Sequence, residues 1–287
     1  MNRINIGLQS VQKGEWLKAI CIWRNELAQT EQSYRVYFQI GKNIATDDLM
    51  PMHLVTYACL IHALKEAGHS VYQGESNKIV DKYIYDDLGF RHYWHDNVNY
   101  VETSQQDIFN LWRIKESEKD LYAKRVEEYF KKTFFEGKDL SFISSCMTET
   151  YYNIFDHADA GDNAYSFIKY NRDKKLLHVA VCDFGKGIIR SVMDFDSTIT
   201  DDKEALKKAV ENNFTTKSTD HNKGKGLDNL ISQASKANIL SGKAMLYKRG
   251  TILTAYDLDF DFKGTLIYFD IDLNALEDDE MLEEFSF

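Results

Sequence analysis

Between Glu149 and Leu227 the chain carries three short polar segments whose order, spacing and backbone setting leave few folds open. They are Glu149-x3-Asn153-x3-His157, Asp183-Phe184-Gly185-Lys186-Gly187 and Gly224-Lys225-Gly226-Leu227. The first lies in Leu140 to His157, where Phe142, Ile143, Cys146, Tyr151, Ile154 and Phe155 recur at helical spacing. Steps of four residues advance by only about 40° around a helix, so Glu149, Asn153 and His157 share one face. The second segment follows Leu176 to Cys182, a run apolar enough for a central strand. The third opens a helix predicted from Asp228 to Ala237 by the spacing of Leu227, Leu230, Ile231 and Ala234. A polar helix face, a carboxylate ending a buried strand and glycines opening a second helix belong together in one pocket.

Each segment has a chemistry and a plainer alternative. An amide oxygen at Asn153 suits Mg2+, and a carboxylate one turn earlier, at Glu149, can take a proton from a water. Alone, the same residues would make an ordinary polar helix face. Asp183 at the end of a buried strand needs a donor, for which the exocyclic amine of adenine is suited. Gly185 and Gly187 let the chain approach a ligand closely, although the same pattern also makes simple strand-to-helix turns. Gly224 and Gly226 leave N–H groups bare at the positive end of a helix, a cradle for phosphate. Lys217 and Lys225 are candidates for phosphate contact or solvated surface cations.

In this order the segments resemble the nucleotide pocket of the GHKL superfamily of gyrase, heat-shock chaperone, histidine-kinase and mismatch-repair ATPases. The resemblance implies that Asn153 holds magnesium and that Glu149 is the catalytic base where hydrolysis or kinase chemistry occurs. It assigns Asp183 to adenine, and Gly185 and Gly187 to the pocket wall. It places His157, Lys217, Gly224, Lys225, Gly226 and Leu227 around bound ATP. Phe214-Thr215-Thr216-Lys217 is similar to the opening of the family's ATP lid. Gly264-Thr265 matches its last pocket element, where a threonine hydroxyl bonds the adenine-binding aspartate or its water, so Thr265 is expected beside Asp183. The implied architecture is α/β, a Bergerat-fold sandwich with a mixed sheet. Its strands are expected at Ala244 to Lys248, Ile252 to Asp257 and Leu266 to Asp272 as an antiparallel meander.

The first third reads as a smaller α/β domain. Tyr34 to Ile40 and His69 to Gln73 are predicted strands, Leu54 to Ala67 and Asn77 to Leu88 helices, and Phe90 to Trp94 a further strand. This alternation resembles a STAS domain distantly. Asp48-Leu49-Met50-Pro51-Met52 stands where such domains carry a phosphorylatable Ser or Thr, and Thr46 reads as a turn or cap residue. The expected divisions are a STAS-like partner-binding domain at 1–104, connecting helices at 105–135 carrying Ile108, Leu111, Trp112, Leu121, Val126, Tyr129 and Phe130, a GHKL domain at 136–275 and an acidic tail at 276–287.

Composition narrows the partners. A net charge of −10 argues against wrapping nucleic-acid backbone and favours a protein partner or a second subunit, with a homodimer one form of it. No apolar run is long enough for a membrane span, and the first residues lack a signal-peptide pattern. The four cysteines have no CxxC pairing, which predicts buried thiols and fits a reducing cytoplasm. No GxxxxGK[ST] or complete GxGxxG is present, and the histidines of Arg91-His92-Tyr93-Trp94-His95 have no Cys or carboxylate cluster for a metal site.

Three outputs remain open for such a pocket. A sensor histidine kinase would need a phosphoacceptor His on a dimerising helix, and the only His-acid pair, His95-Asp96, is predicted to follow a strand. An anti-sigma-type serine/threonine kinase carries the same Glu-x3-Asn-x3-His form but would need a substrate. The reading carried forward is an ATP-driven conformational switch with slow hydrolysis, with a non-catalytic nucleotide sensor as its limiting case.

Overall fold

A computed structural model describes residues 2–74, 77–157, 164–211 and 226–278. Its centre is a five-stranded antiparallel sheet in the order β4-β5-β6-β8-β7, with β4 at Ile108–Ile114, β5 at Ala164–Asn171, β6 at Leu176–Asp183, β7 at Lys236–Arg249 and β8 at Ile252–Asp272. β6 is apolar on both faces because both are covered, and such strands read as continuous hydrophobic runs. Leu177, Val179 and Val181 enter one core, while Ala180 and Cys182 enter another.

The first core is closed by α5 (Lys119–Phe134), α6 (Ser141–Tyr152), α7 (Ile188–Phe195), α8 (Asp202–Ala209) and α9 (Gly226–Gln233). The second is closed by α1 (Lys13–Leu27) and α2 (Pro51–Glu66), with α2 lying directly on β5 and β6. Beyond these helices stands a three-stranded parallel sheet, β1-β2-β3, formed by Asn2–Leu8, Tyr34–Ile40 and Ser70–Gln73. The chain is therefore layered as sheet, helices, sheet, helices.

A helix held between two sheets must be apolar nearly all round. In α2, 13 of 16 residues are buried. Its polar members bond internally: Thr56 Oγ1 donates to the Met52 carbonyl at 2.7 Å and accepts from Trp16 Nε1 at 3.0 Å, and His53 Nδ1 accepts from Met50 N at 2.9 Å. Pro51 occupies the first helical position, where its missing N–H removes no intrahelical bond. All four cysteines are buried free thiols. No helix among the described residues is long and apolar enough to cross a membrane.

Several elements differ from the sequence expectation. Phe90 to Trp94 is not a strand but the start of α4 (Phe90–His95), following α3 (Lys78–Lys82) and a π-helical turn at Tyr83–Asp87. Gly89 in the left-handed region, φ 65°, turns the chain so that Phe90 and Tyr93, three apart, enter the same core. His95 thus ends a six-residue helix rather than following a strand, and it and His92 are hydrogen-bonded to the exposed Asp96 carboxyl group.

The first half of the expected connecting helices, Ile108–Ile114, is strand β4 at the edge of the central sheet. A bulge between Phe109 and Trp112 puts these two on one face and Ile108 and Leu111 on the other, so residues three apart share a side as they would in a helix. Asn110 is fully buried in the bulge, donating to the Leu88 and Val101 carbonyls at 2.9 and 2.8 Å. The sheet is antiparallel throughout, not mixed, and its last strands form one long β7–β8 hairpin with bulges rather than three short segments. α9 ends at Gln233, and Lys236 already begins β7. β1, α1 and β5 carried no sequence expectation. Of the acidic tail, Glu277 and Asp278 pair with Asp139 and Lys138, and residues 279–287 lie outside the described part.

Candidate functional site

β6 delivers Asp183 to its end on the same face as Leu177, Val179 and Val181, toward the helices of the first core. Its register partner in β8 is Thr265, and both are fully buried. The expected neighbourhood of these two residues is therefore present, with one difference in bonding. Thr265 Oγ1 accepts from Ile188 N at 3.2 Å, which ties the first turn of α7 to β8, while Asp183 Oδ1 accepts from Gly185 N at 2.6 Å.

Two glycines make this close packing possible. Gly264 has φ 106°, and a Cβ there would lie 2.2 Å from the Asp183 carbonyl oxygen. Gly187 has φ 85°, and a Cβ there would lie 2.6 Å from both the Gly264 carbonyl oxygen and Ser241 Oγ. Gly187 is thus required for contact between the turn and β8, a packing role beyond the pocket-wall role expected of it.

Among the described residues Asp183 Oδ2 is buried and has no hydrogen-bond partner. Burial pushes the carboxyl up to about 8, against the opposing pull of the Gly185 N–H, Thr265 and the Arg24 guanidinium. Buried polar atoms are as a rule satisfied, and this oxygen is one of several among the described residues that are not, the Tyr122 and Tyr165 hydroxyls included.

The helices α6 and α9, which carry the described parts of the other two segments, pack in the same core as α7. α6 gives way at Tyr152 to a π-helical turn, Asn153–His157. The wider turn alters the angular step assumed for an α-helix, so Asn153 and His157 are related differently from Glu149 and Asn153. Asn153 is buried, and its Nδ2 donates to the Glu149 carbonyl at 2.6 Å, leaving the amide oxygen as the end able to ligate a hard cation. Glu149 is half-buried one turn earlier. The π turn packs on α7, and α6 packs on α9.

Gly226 opens α9 as expected, but Leu227 is 3% exposed and packs in the first core. Its place is apolar packing, because the helix face it occupies turns toward the sheet. Lys217, Gly224 and Lys225 lie outside the described residues, as does the side chain of His157. Among the described residues no group of three or more His, Cys, Asp and Glu could hold a metal, so a cation here would rely on Asn153 and on ligand oxygens.

Arg24 was not legible as a site residue. From α1, 160 positions earlier, its Nη2 donates to the Phe184 carbonyl at 3.0 Å and its guanidinium sits 4.6 Å from the Phe184 ring centroid. The Phe184 ring meets Phe262 edge-on at 5.8 Å. Two clefts, of about 380 and 520 Å3, flank this contact and share Arg24 and Gly185 in their walls. An arginine in an amphipathic helix has no sequence signal that would pair it with a distant turn. The chain matches no known family model and no curated protein.

Proposed function

We propose that this chain is a Mg-ATP-binding regulatory protein of GHKL type, in which the face of the central sheet covered by α6, α7 and α9 is a Bergerat-like nucleotide site and the N-terminal module is the STAS-like part. The observation that carries the reading is Asp183 Oδ2, a fully buried carboxylate oxygen without a partner, at the end of a central strand and opposite Thr265. An adenine amine is a donor of the right kind for it, and its place at a strand end beside Thr265 and the close-packed glycine turn supports that assignment.

Bound Mg-ATP would supply that amine together with a polyphosphate whose terminal phosphoryl group can be lost. Asp183 accepts the amine, and its preference for a donor distinguishes adenine from bases with a carbonyl at that position. Asn153 holds the cation through its amide oxygen, with the remaining ligands from phosphate and water. The N-terminus of α9 at Gly226, with Gly224 and Lys225 before it and Lys217 in the lid-like segment, receives phosphate charge. Glu149 takes the proton from an attacking water. The output is a change in contacts with a protein partner or second subunit, with slow hydrolysis resetting it.

Calorimetric titration of wild type and Asp183→Asn with Mg-ATP tests the reading. The wild type should bind and the variant should lose at least tenfold in affinity; equal affinities would remove the adenine assignment. Incubation with γ-labelled ATP and candidate partners then separates outcomes, since free labelled phosphate supports the switch and label on protein replaces it with a serine/threonine kinase.

A further inference from the structure

We propose that the N-terminal module sets the state of the Asp183 site through Arg24, a positioning residue that holds the Phe184–Gly185 peptide from the opposite face of the central sheet. This rests on the nucleotide reading for its functional meaning, but its geometry stands by itself.

Successive residues at the end of β6 point to opposite faces. Asp183 faces the core of α6 and α7, whereas Phe184 packs against the core of α1 and α2. Between them lies one peptide group with two partners. Its carbonyl, from Phe184, accepts from Arg24 Nη2 at 3.0 Å, and its N–H, from Gly185, donates to Asp183 Oδ1 at 2.6 Å. A peptide is planar, so moving one end moves the other. Hydrogen bonds in series also polarise each other, so the cation on the carbonyl strengthens the N–H as a donor to the carboxylate. Displacing α1 would tilt this peptide and change how well Asp183 Oδ1 is held.

α1 is in turn anchored to the central sheet by its cations. Lys13 Nζ lies 4.6 Å from the Tyr268 ring centroid, Lys18 pairs with Asp259, and Arg24 completes the series at Phe184. Trp16 Nε1 bonds Thr56 Oγ1 at 3.0 Å, so α1 and α2 are joined as a unit. Anything that shifts this unit on the sheet reaches the peptide through Arg24.

The titratable groups that act on this corner include Arg24 and Cys21 from α1, Cys59 from α2, Cys182 from β6 itself and Asp261 from β8. Burial raises Cys21 to about 12 and Cys182 well above the usual thiol range, so these thiols stay neutral while Asp183 titrates. Arg24 is the cation that favours the ionised carboxylate.

The test compares wild type, Arg24→Gln and Arg24→Lys by Mg-ATP affinity and by urea unfolding, each from pH 6 to 9.5. In the wild type, affinity should rise with pH and level near pH 8, as Asp183 ionises. Arg24→Gln should bind about tenfold more weakly, the loss of one charged hydrogen bond, and level at a higher pH. Arg24→Lys keeps the charge but not the planar fork, so it should level near the wild-type pH while binding more weakly. A uniform loss of affinity in both variants with no movement of the profile would reduce Arg24 to packing and overturn the proposal. If the wild type binds no Mg-ATP, the nucleotide reading fails separately. The pH at which unfolding stability stops falling then decides: an upward move in Arg24→Gln upholds the proposal, and an unchanged value overturns it.

Discussion

Replacing Asp183 with asparagine should change the stability of the ligand-free protein by an amount that grows with pH. The carboxyl is fully buried and has its ordinary value of 3.8 raised to about 8 by burial. Between these values the native chain keeps a proton that the unfolded chain has released, so wild-type stability falls as pH rises. Below the unfolded value there is no penalty, and above about 8 both states are ionised and the loss levels off. At about 1.4 kcal/mol per pH unit, the penalty grows by about 4 kcal/mol between pH 5 and pH 9 and totals on the order of 6 kcal/mol. Asparagine does not titrate. It carries instead a pH-independent cost of roughly 1–3 kcal/mol, because its Nδ2 is a buried donor with no acceptor opposite. Urea unfolding of both proteins at unit pH steps gives the difference directly. The variant should gain on the wild type through the range and the gain should flatten near pH 8. A difference independent of pH, or one that shrinks as pH rises, would mean that Asp183 is ionised and satisfied in the native state, and the argument from an orphaned carboxylate would fail.

Two further outcomes follow from the same corner of the molecule. Glu149→Ala should retain nucleotide but lose turnover by about 10²- to 10⁴-fold, the usual contribution of a positioned base; phosphate release at the wild-type rate in a coupled assay would put the base elsewhere. Gly264→Ala forces a side chain to φ 106° and a Cβ to within 2.2 Å of the Asp183 carbonyl, so it should cost at least about 2 kcal/mol and weaken nucleotide binding together with stability. An unfolding midpoint equal to that of the wild type would show that β8 can move away from the turn at no cost.

Legibility followed the number of covered faces and the local geometry. β6 was readable because both of its faces are buried, and α2 because apolar residues recur at helical spacing from Leu54 until Gly68, although the helix itself starts three residues earlier, at Pro51. β4 was misread because its bulge gives Phe109 and Trp112 a helical separation on one face of a strand. α4 was misread because six residues are too few for the helical and strand periods to part. In the site, Asp183 and Thr265 were paired correctly from sequence, since both end up at fixed positions on adjacent strands. The Leu227 side chain packs in the first core, as its helical spacing with Leu230 and Ala234 indicated.

What the sequence by itself determined was a set of local choices: an apolar strand ending in aspartate, helices on either side, glycines where side chains cannot fit, and polar groups at one-turn intervals. These depend on neighbours within a few residues, whose chemistry the sequence displays. Tertiary structure alone decided which face of the central sheet each residue meets, that α1 and α2 close the face opposite α6, and that Arg24 reaches the Phe184–Gly185 peptide across 160 positions. It also decided that Asp183 Oδ2 has no partner among the described residues. Burial and hydrogen-bond satisfaction are sums over everything that packs around a group, and no local pattern contains that sum.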